Sequence, residues 1–272
     1  MSLKVCVTGA KGFIGQNLLP ILHNKAELEA VTFPGDLLSI TEVDDFFNAH
    51  PGIDTVIHLV GTFSGTTQEL IEMNVITTVN LLEAAQKHSV KKVIFTSSGA
   101  VYGEPVGTES SEDDPLLPNG LYGQAKLWAE DAVRFCERNY GLKDTILRFP
   151  NVYGPKNQKG VIYNMLSDIK TKGSVTIYGD GTQSRNFLHV DDACRAIILA
   201  LENSTTGVFN ISNPVKISIN DAVELLKKDY QFNVVHSPAD NSLKDLLLNV
   251  SHARKVLGFT AEIKDLRLHD LI

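Results

Sequence analysis

Near the start of the chain an apolar run over residues 4–7 meets a glycine-spaced turn, Thr8-Gly9-Ala10-Lys11-Gly12-Phe13-Ile14-Gly15. The turn opens an apolar-periodic stretch that reaches about Asn24. Strand, turn and helix in this order restrict the fold more than any other feature. Gly9 suits a tight turn, Gly12 a close approach of backbone to pyrophosphate, and Gly15 a helix packed near the sheet. The helix start then offers unbonded N–H groups and a partial positive charge to phosphate. The pattern predicts an α/β fold that holds a dinucleotide at its first strand-to-helix turn.

The chain's bulk properties narrow the partners. A length of 272 residues supports a large core, as one domain or as two lobes sharing an interface. The formal net charge of -7 and the lack of a basic run argue against nucleic acid, whose phosphates require a basic stripe. No apolar run approaches a membrane span, so no membrane partner is expected. The first strand starts close to Met1 and leaves no stretch for a signal peptide. Cys6, Cys136 and Cys194 are far apart, form no metal-type pairing and suit a reducing compartment. A cytoplasmic protein without a metal site is therefore expected.

Up to about Arg148 short apolar strands alternate with longer helical patterns, the signature of a parallel sheet with crossover helices. Strands are expected over 4–7, 29–33, 55–60, 92–96 and 145–148. Ser39 with Glu42, and Thr66 with Glu69, have capping-box spacing at helix starts. A continuous helix is expected over 67–88, and another over 121–140 that stops at Gly141. Beyond it Gly, Pro and Asn cluster over 150–160, and shorter elements follow over 161–172, 175–178, 190–203, 208–211 and 218–228. This divides the chain into a dinucleotide-binding Rossmann-type domain, residues 1–150, and a smaller mixed α/β substrate lobe, 151–272, with segments that can return to the sheet. The lobe should lie over the carboxyl ends of the strands, where open α/β sheets bind ligands.

Two further groups point to redox chemistry. Tyr122 and Lys126 are four residues apart at a helix start, so both project from one face. An ammonium beside a phenol favours the phenolate and lowers its pKa, which makes a general base for an alcohol or an acid for a ketone. Ser97-Ser98-Gly99 ends the strand over 92–96, where a serine hydroxyl can hold the reacting oxygen. His58 lies in an apolar strand and His88 at a helix end, and structural roles are expected for them and for His189.

The stretches TGAKGFIG, VIHLVG, NVITTVNLLEAA, FTSSGAVYG, YGQAK, LRFPNVYGP and IYGDGTQSRNFLHVDD occur in this order. Together they make the chain resemble, over essentially its whole length, the extended short-chain dehydrogenase/reductase family. The nearest pattern is that of its nucleotide-sugar epimerases and dehydratases, in particular the UDP-glucose/galactose 4-epimerase-like members. The resemblance implies Tyr122 as catalytic base, Lys126 as its ribose-binding partner and Ser98 as the group that orients substrate. It implies cofactor contacts at Gly9, Gly12, Phe13, Ile14, Gly15, Asp36 and Leu37, and at Leu59, Val60, Gly61, Asn74, Thr96, Ser97, Phe149 and Pro150. Asn151 and Arg185 match positions that hold sugar-nucleotide phosphates, and Val161, Ile162 and Tyr178 match positions near the nucleoside. A homodimer paired through helices near 74–88 and 121–140 is implied too, with Val79, Leu82, Leu127 and Phe135 either at the seam or in the core.

The same resemblance separates reactions. Relatives that eliminate water or carbon dioxide carry an acidic residue after the threonine of this strand end, whereas here it reads Thr96-Ser97-Ser98-Gly99. Reversible oxidation of a hydroxyl remains: an NAD-dependent 4-epimerase of a UDP- or dTDP-hexose, or an NADPH-dependent 4-keto nucleotide-sugar reductase. A non-catalytic dinucleotide-binding scaffold or redox sensor is the reading from another class. Strand two ends Val31-Thr32-Phe33-Pro34-Gly35-Asp36 without the usual acid, and Lys11 could face a 2′-phosphate, so NAD is expected with NADP left open. Three other departures concern the substrate. The 61–74 loop is short, Asn186 replaces an aspartate, and no diphosphate arginine occurs near Ser237-Pro238-Ala239-Asp240.

Overall fold

The first apolar run forms β1, Leu3–Thr8, whose side chains divide between two helical layers: Val5 and Val7 face one, Cys6 the other. The computed structural model describes residues 2–105, 107–238, 245–263 and 265–266, so Ala239 and Asp240 lie outside the described residues. After β1 come α1 (Phe13–His23), β2 (Leu28–Thr32), α2 (Ile40–Ala49), β3 (Thr55–His58), α3 (Thr67–Ile71) and α4 (Thr77–Lys87). Then follow β4 (Lys92–Ser98), α5 (Leu121–Tyr140), β5 (Lys143–Phe149), β6 (Asn151–Tyr153), α6 (Val161–Lys172) and β7 (Ser174–Tyr178). The remainder is β8 (Ser184–His189), α7 (Val190–Glu202), β9 (Gly207–Asn210), β10 (Lys216–Ser218), α8 (Ile219–Leu226), β11 (Asn233–Ser237) and α9 (Ser251–Val256).

Six strands form one parallel sheet in the order β2-β1-β3-β4-β5-β9. The chain reverses its winding between β1 and β3, the point at which ligands of doubly wound sheets bind. One face packs on α1 and α7, the other on α2, α4 and α5. Alternation within the strands explains this: Ile57, Ile94 and Leu147 join the first layer, while Val56, Val93, Phe95 and Ile146 join the second. The expected doubly wound fold is present.

Strand three stops at His58 rather than at residue 60, because Leu59 and Val60 leave the ladder to line the crevice. The helix expected over 67–88 is interrupted by a π-helical turn, Glu72–Ile76, which directs Asn74 fully inward. Both caps form. Ser39 accepts from the Glu42 N–H, and Thr66 makes the complete box with Glu69, whereas the Glu42 carboxylate instead accepts from the Asp36 N–H at 2.9 Å. Gly141 ends α5 at φ 70, a left-handed cap that glycine adopts without strain.

Beyond β5, a three-stranded sheet β10-β8-β6 and a parallel pair β11-β7 pack with α6 and α8 around a core of their own. Two parts of this half return to the main body: β9 extends the large sheet beside β5, and α7 packs on α1. Asn186 is buried at 1% exposure and uses both ends of its amide. Its Nδ2 donates to the Val215 carbonyl at 3.2 Å and its Oδ1 accepts from the Leu248 N–H at 2.8 Å, a pairing no aspartate could complete.

Candidate active site

Two adjoining cavities lie along the carboxyl ends of the strands. The smaller, about 360 Å³, is lined by Gly9, Lys11, Asp36, Leu37 and Val60 among others. The larger, about 570 Å³, runs from Phe13, Ile14, Leu59 and Gly61 past Thr96, Ser97 and Ser98 to Tyr122 and Lys126. It continues to Phe149, Pro150, Asn151, Val161 and Ile162. The structure thus brings together residues from five separate sequence motifs.

The glycine turn is built for close approach. Gly9 has φ +72, and a Cβ on Gly15 would stand 2.4 Å from the Gly9 carbonyl oxygen and 2.7 Å from Ala10 backbone atoms, which cannot yield. Helix α1 begins at Gly12 with no side-chain cap and no acid in its first turn, which leaves its N–H groups for an anion. At the other end of the crevice, a Cβ on Gly61 would stand 2.7 Å from Asn74 Oδ1 and 2.9 Å from Lys126 Nζ. Asn74 Oδ1 is buried without a hydrogen-bond partner, while its Nδ2 donates to the Thr62 and Leu70 carbonyls, both at 2.8 Å. Phosphate donors at one end and a bare acceptor beside an ammonium at the other fit a dinucleotide along this crevice.

Ser98, the last residue of β4, hydrogen-bonds the Tyr122 phenol and also accepts from the Ala100 N–H at 3.2 Å. Lys126, one turn beyond Tyr122, is 5% exposed. Its Nζ donates to the Thr96 carbonyl at 3.0 Å and stands 4.9 Å from the Phe95 ring. Burial in these surroundings pushes Lys126 down to about 8. Tyr122 moves the other way: burial raises its phenol above the usual tyrosine value, opposed only by the Ser98 hydrogen bond. This corrects the expectation that Lys126 by itself acidifies the phenol. The ammonium is turned to the Thr96 carbonyl, and burial outweighs the Ser98 hydrogen bond at the phenol.

Other placements differ from expectation. The Ser97 hydroxyl donates to Glu130 Oε1 at 2.6 Å and is therefore already engaged. Tyr178 is 53% exposed and lines neither cavity. Arg185, on β8, donates to the Ser184 carbonyl at 2.9 Å and also lies outside both linings. Asn151 does reach the larger cavity, and its Nδ2 is buried without a hydrogen-bond partner.

The histidines serve the framework. Thr78 Oγ1 gives its proton to the Asn74 carbonyl at 2.8 Å, so it accepts from His58 Nε2 at 3.1 Å. His58 Nδ1 is then left to accept from Thr8 Oγ1 at 2.6 Å. Burial, then the Lys126 charge, push His58 down to about 3, so it stays neutral. His88 pairs with Asp44 at 2.8 Å, and His189 caps α7 by accepting from the Asp191 N–H at 3.2 Å.

Sequence reasoning missed two groups. Phe63, in the short loop after Gly61, packs edge-on to Tyr122 with ring centroids 6.3 Å apart, and Lys159 stands 5.5 Å above the Phe63 ring. No local pattern marks such a contact between distant loops. Glu130 and Arg148 form a buried ion pair behind the site. Here a signal existed, because Tyr122, Lys126, Glu130 and Arg134 recur every fourth residue along one face of α5.

A family model described as the NAD-dependent epimerase/dehydratase family matches residues 5–212. A putative UDP-glucose 4-epimerase of Methanocaldococcus jannaschii is 30% identical across 95% of this chain and 93% of its own length. A UDP-glucose 4-epimerase of Halalkalibacterium halodurans is 32% identical across 83% of this chain and 80% of that one. Among solved structures, UDP-glucose 4-epimerase of Thermotoga maritima with UDP-glucose matches at TM-score 0.87 and 30% identity, covering 96% of this chain and 94% of that chain. UDP-glucuronic acid 4-epimerase of Bacillus cereus with UDP-glucuronic acid and NAD matches at TM-score 0.87 and 28% identity, covering 98% and 96%.

Proposed function

The chain belongs to the NAD-dependent epimerase/dehydratase family, and from that membership we propose that it is an NAD-dependent 4-epimerase of a nucleotide sugar, a UDP- or dTDP-hexose. The carrying observation is that Ser98, Tyr122 and Lys126 converge on one cavity whose lining contains no aspartate or glutamate among the described residues. The relatives that eliminate water or carbon dioxide use a carboxyl group after the strand-end threonine, and among the described residues this lining supplies no carboxyl group. Reversible oxidation at a hydroxyl needs, beside a hydride-accepting nicotinamide, only the three groups present. The same reading is supported by the 4-epimerases among the relatives and by the NAD and UDP-sugars named in the solved structures.

Bound NAD supplies a hydride acceptor and donor at the sugar C4 and, when oxidised, a positive charge beside the phenol. Everything else falls to the chain. Ser98 holds the C4 hydroxyl against Tyr122, which removes its proton as the alcohol becomes a ketone and returns it after the sugar has turned over. Lys126 holds the cofactor ribose and keeps positive charge near the phenolate. Gly9, Gly12 and Gly15 with the start of α1 hold the pyrophosphate, Asp36, Leu37 and Val60 border the adenosine, and Asn74 Oδ1 and Lys126 border the nicotinamide half. Asn151 and the uncapped start of α6 attract the substrate diphosphate.

In this reading residues 1–150 bind the cofactor and 151–272 mainly the substrate, with α7 and β9 completing the cofactor half. The working form is a cytoplasmic homodimer, in line with three buried free cysteines. Its seam is an exposed apolar face of the π-turn, α4 and α5: Ile76, 40% exposed, Trp128, 43%, and Phe135, 48%, flanked by half-buried Val79 and Leu127. Leu82, at 2% exposure, belongs to the core instead.

The test is incubation with a panel of UDP- and dTDP-hexoses. Interconversion of C4 epimers without net consumption of reduced cofactor is expected. Stoichiometric NADPH oxidation by a 4-keto nucleotide sugar would replace this reading with the reductase. Absence of any turnover, with Tyr122→Phe indistinguishable from the parent protein, would favour the scaffold.

A further inference from the structure

Behind Ser98 and Lys126 lies a charged cluster that the reaction as described does not use. Glu130 and Arg148 are both at 0% exposure. Glu130 Oε1 accepts from Arg148 Nε at 2.9 Å and from Ser97 Oγ at 2.6 Å. Its Oε2 accepts from Arg148 Nη2 at 2.6 Å and from Arg134 Nη2 at 2.9 Å. Arg148 Nη1 donates to the Tyr102 hydroxyl at 2.7 Å, which donates to Asn210 Oδ1 at 2.8 Å.

Stability does not explain such a cluster, since replacing a buried ion pair with apolar residues of similar size is often neutral or favourable. Its location does suggest a role. Ser97 and Arg148 are register partners across β4 and β5, and the next pair is Ser98 and Phe149. Glu130 thus ties together, from α5, the two strand ends that present Ser98 and the 149–151 segment to the cavity. It also lies one helical turn beyond Lys126 on the same face.

The surroundings of Lys126 make that neighbour important. From α5 it faces Glu130, with Tyr122 one turn before it on the same helix face, from β3 the neutral His58, and from β4 the Thr96 carbonyl and the Phe95 ring. The π-turn brings only the uncharged Asn74 near, and β5 contributes Arg148 on the far side of Glu130. Among the described residues, Glu130 is accordingly the negative group that opposes the loss of charge burial imposes on Lys126. Without it, Lys126, Arg134 and Arg148 would be three cations around one helical face.

We propose that Glu130 and Arg148 are positioning residues: the pair locks the strand end that carries Ser98 and supplies the counter-charge for the Lys126 ammonium. This rests on the epimerase reading for its consequence in turnover, but not for its consequence in charge. The side-chain Cε resonance of Lys126, identified by its loss in Lys126→Met, is titrated by NMR in the parent protein and in Glu130→Gln. The midpoint is expected to fall by about one pH unit or more. In parallel, kcat should fall about 100-fold with KM within about threefold, the pattern of a lost transition-state interaction. The alkaline limit of activity should move to lower pH, because Lys126 then loses its proton earlier.

The double variant Glu130→Leu with Arg148→Met removes both charges and should fold, with a smaller downward shift, because the repelling Arg148 is gone too, and with the same loss of kcat. A folded double or single variant whose Lys126 midpoint and kcat match the parent protein would overturn the proposal. Failure of the double variant to fold would overturn it too, by making the pair a requirement of the fold. The titration needs no substrate, so its outcome is separate from whether any nucleotide sugar is turned over.

Discussion

Tyr122 combines two opposed demands. It must lose a proton to act as a base, yet burial holds its phenol above the ordinary tyrosine value. Cofactor charge and substrate must therefore make it reactive, which keeps the group protonated and harmless when the crevice is empty. Tyr122→Phe is expected to lower kcat about 10²–10⁴-fold, the range for a positioned acid–base group. Its content of bound NAD, measured from nucleotide released on denaturation, should be unchanged. Asn151 gives a prediction with opposite signs. Its Nδ2 is a buried donor without a partner, so Asn151→Ala should leave Tm unchanged or raised. The same change should raise KM about tenfold by removing one hydrogen bond to the substrate. Equal losses of Tm and affinity would mean that Asn151 is structural.

At the scale of elements, the glycine turn and the chain Thr8–His58–Thr78–Asn74 join β1, β3 and the π-turn into one support for the cofactor. Gly15→Ala must push α1 away from backbone at Gly9 and Ala10, and strain of this kind costs about 1–3 kcal/mol. Lower Tm and loss of co-purified NAD are both expected. His58 makes acid stability depend on a single buried ring. Its folded value is pushed down to about 3 from the ordinary histidine value of 6.5, so the unfolded chain binds a proton that the folded one refuses. That part of stability is full above pH 6.5 and is lost as pH falls toward 3. His58→Gln should flatten the Tm profile in this window, as read by calorimetry from pH 7 to 4. Elements were largely legible because strand alternation and helix periodicity are local. The π-turn was not, because Glu72 to Ile76 carry no breaker and only the inward demand of Asn74 widens the helix. Lys126 was legible as a partner of Tyr122 from spacing alone. Its bond to the Thr96 carbonyl was not, since that depends on how α5 is set against β4.

For the whole molecule, the doubly wound sheet could be read from alternating strands and helices. That segments of the second half can return to this sheet was legible too, but not which strand does so or that β9 takes the far edge, because nothing local distinguishes an edge strand of one lobe from that of another. Arg185 shows the same limit: its placement follows from the pairing of β8 with β10 and the bridge to Leu246, contacts between distant segments that no local motif encodes. The apolar face of α4 and α5 is expected to bury itself against a second copy. Trp128→Asp with Phe135→Asp should halve the mass seen by light scattering, and an unchanged mass would place the interface elsewhere. The most direct measurement of the central claim is epimerisation of the active nucleotide sugar in D₂O. If Tyr122 moves only the hydroxyl proton while C4 hydrogen leaves and returns as hydride, the product carries no deuterium at C4. Deuterium at C4 would show that the carbon exchanged its hydrogen with solvent and would contradict the account.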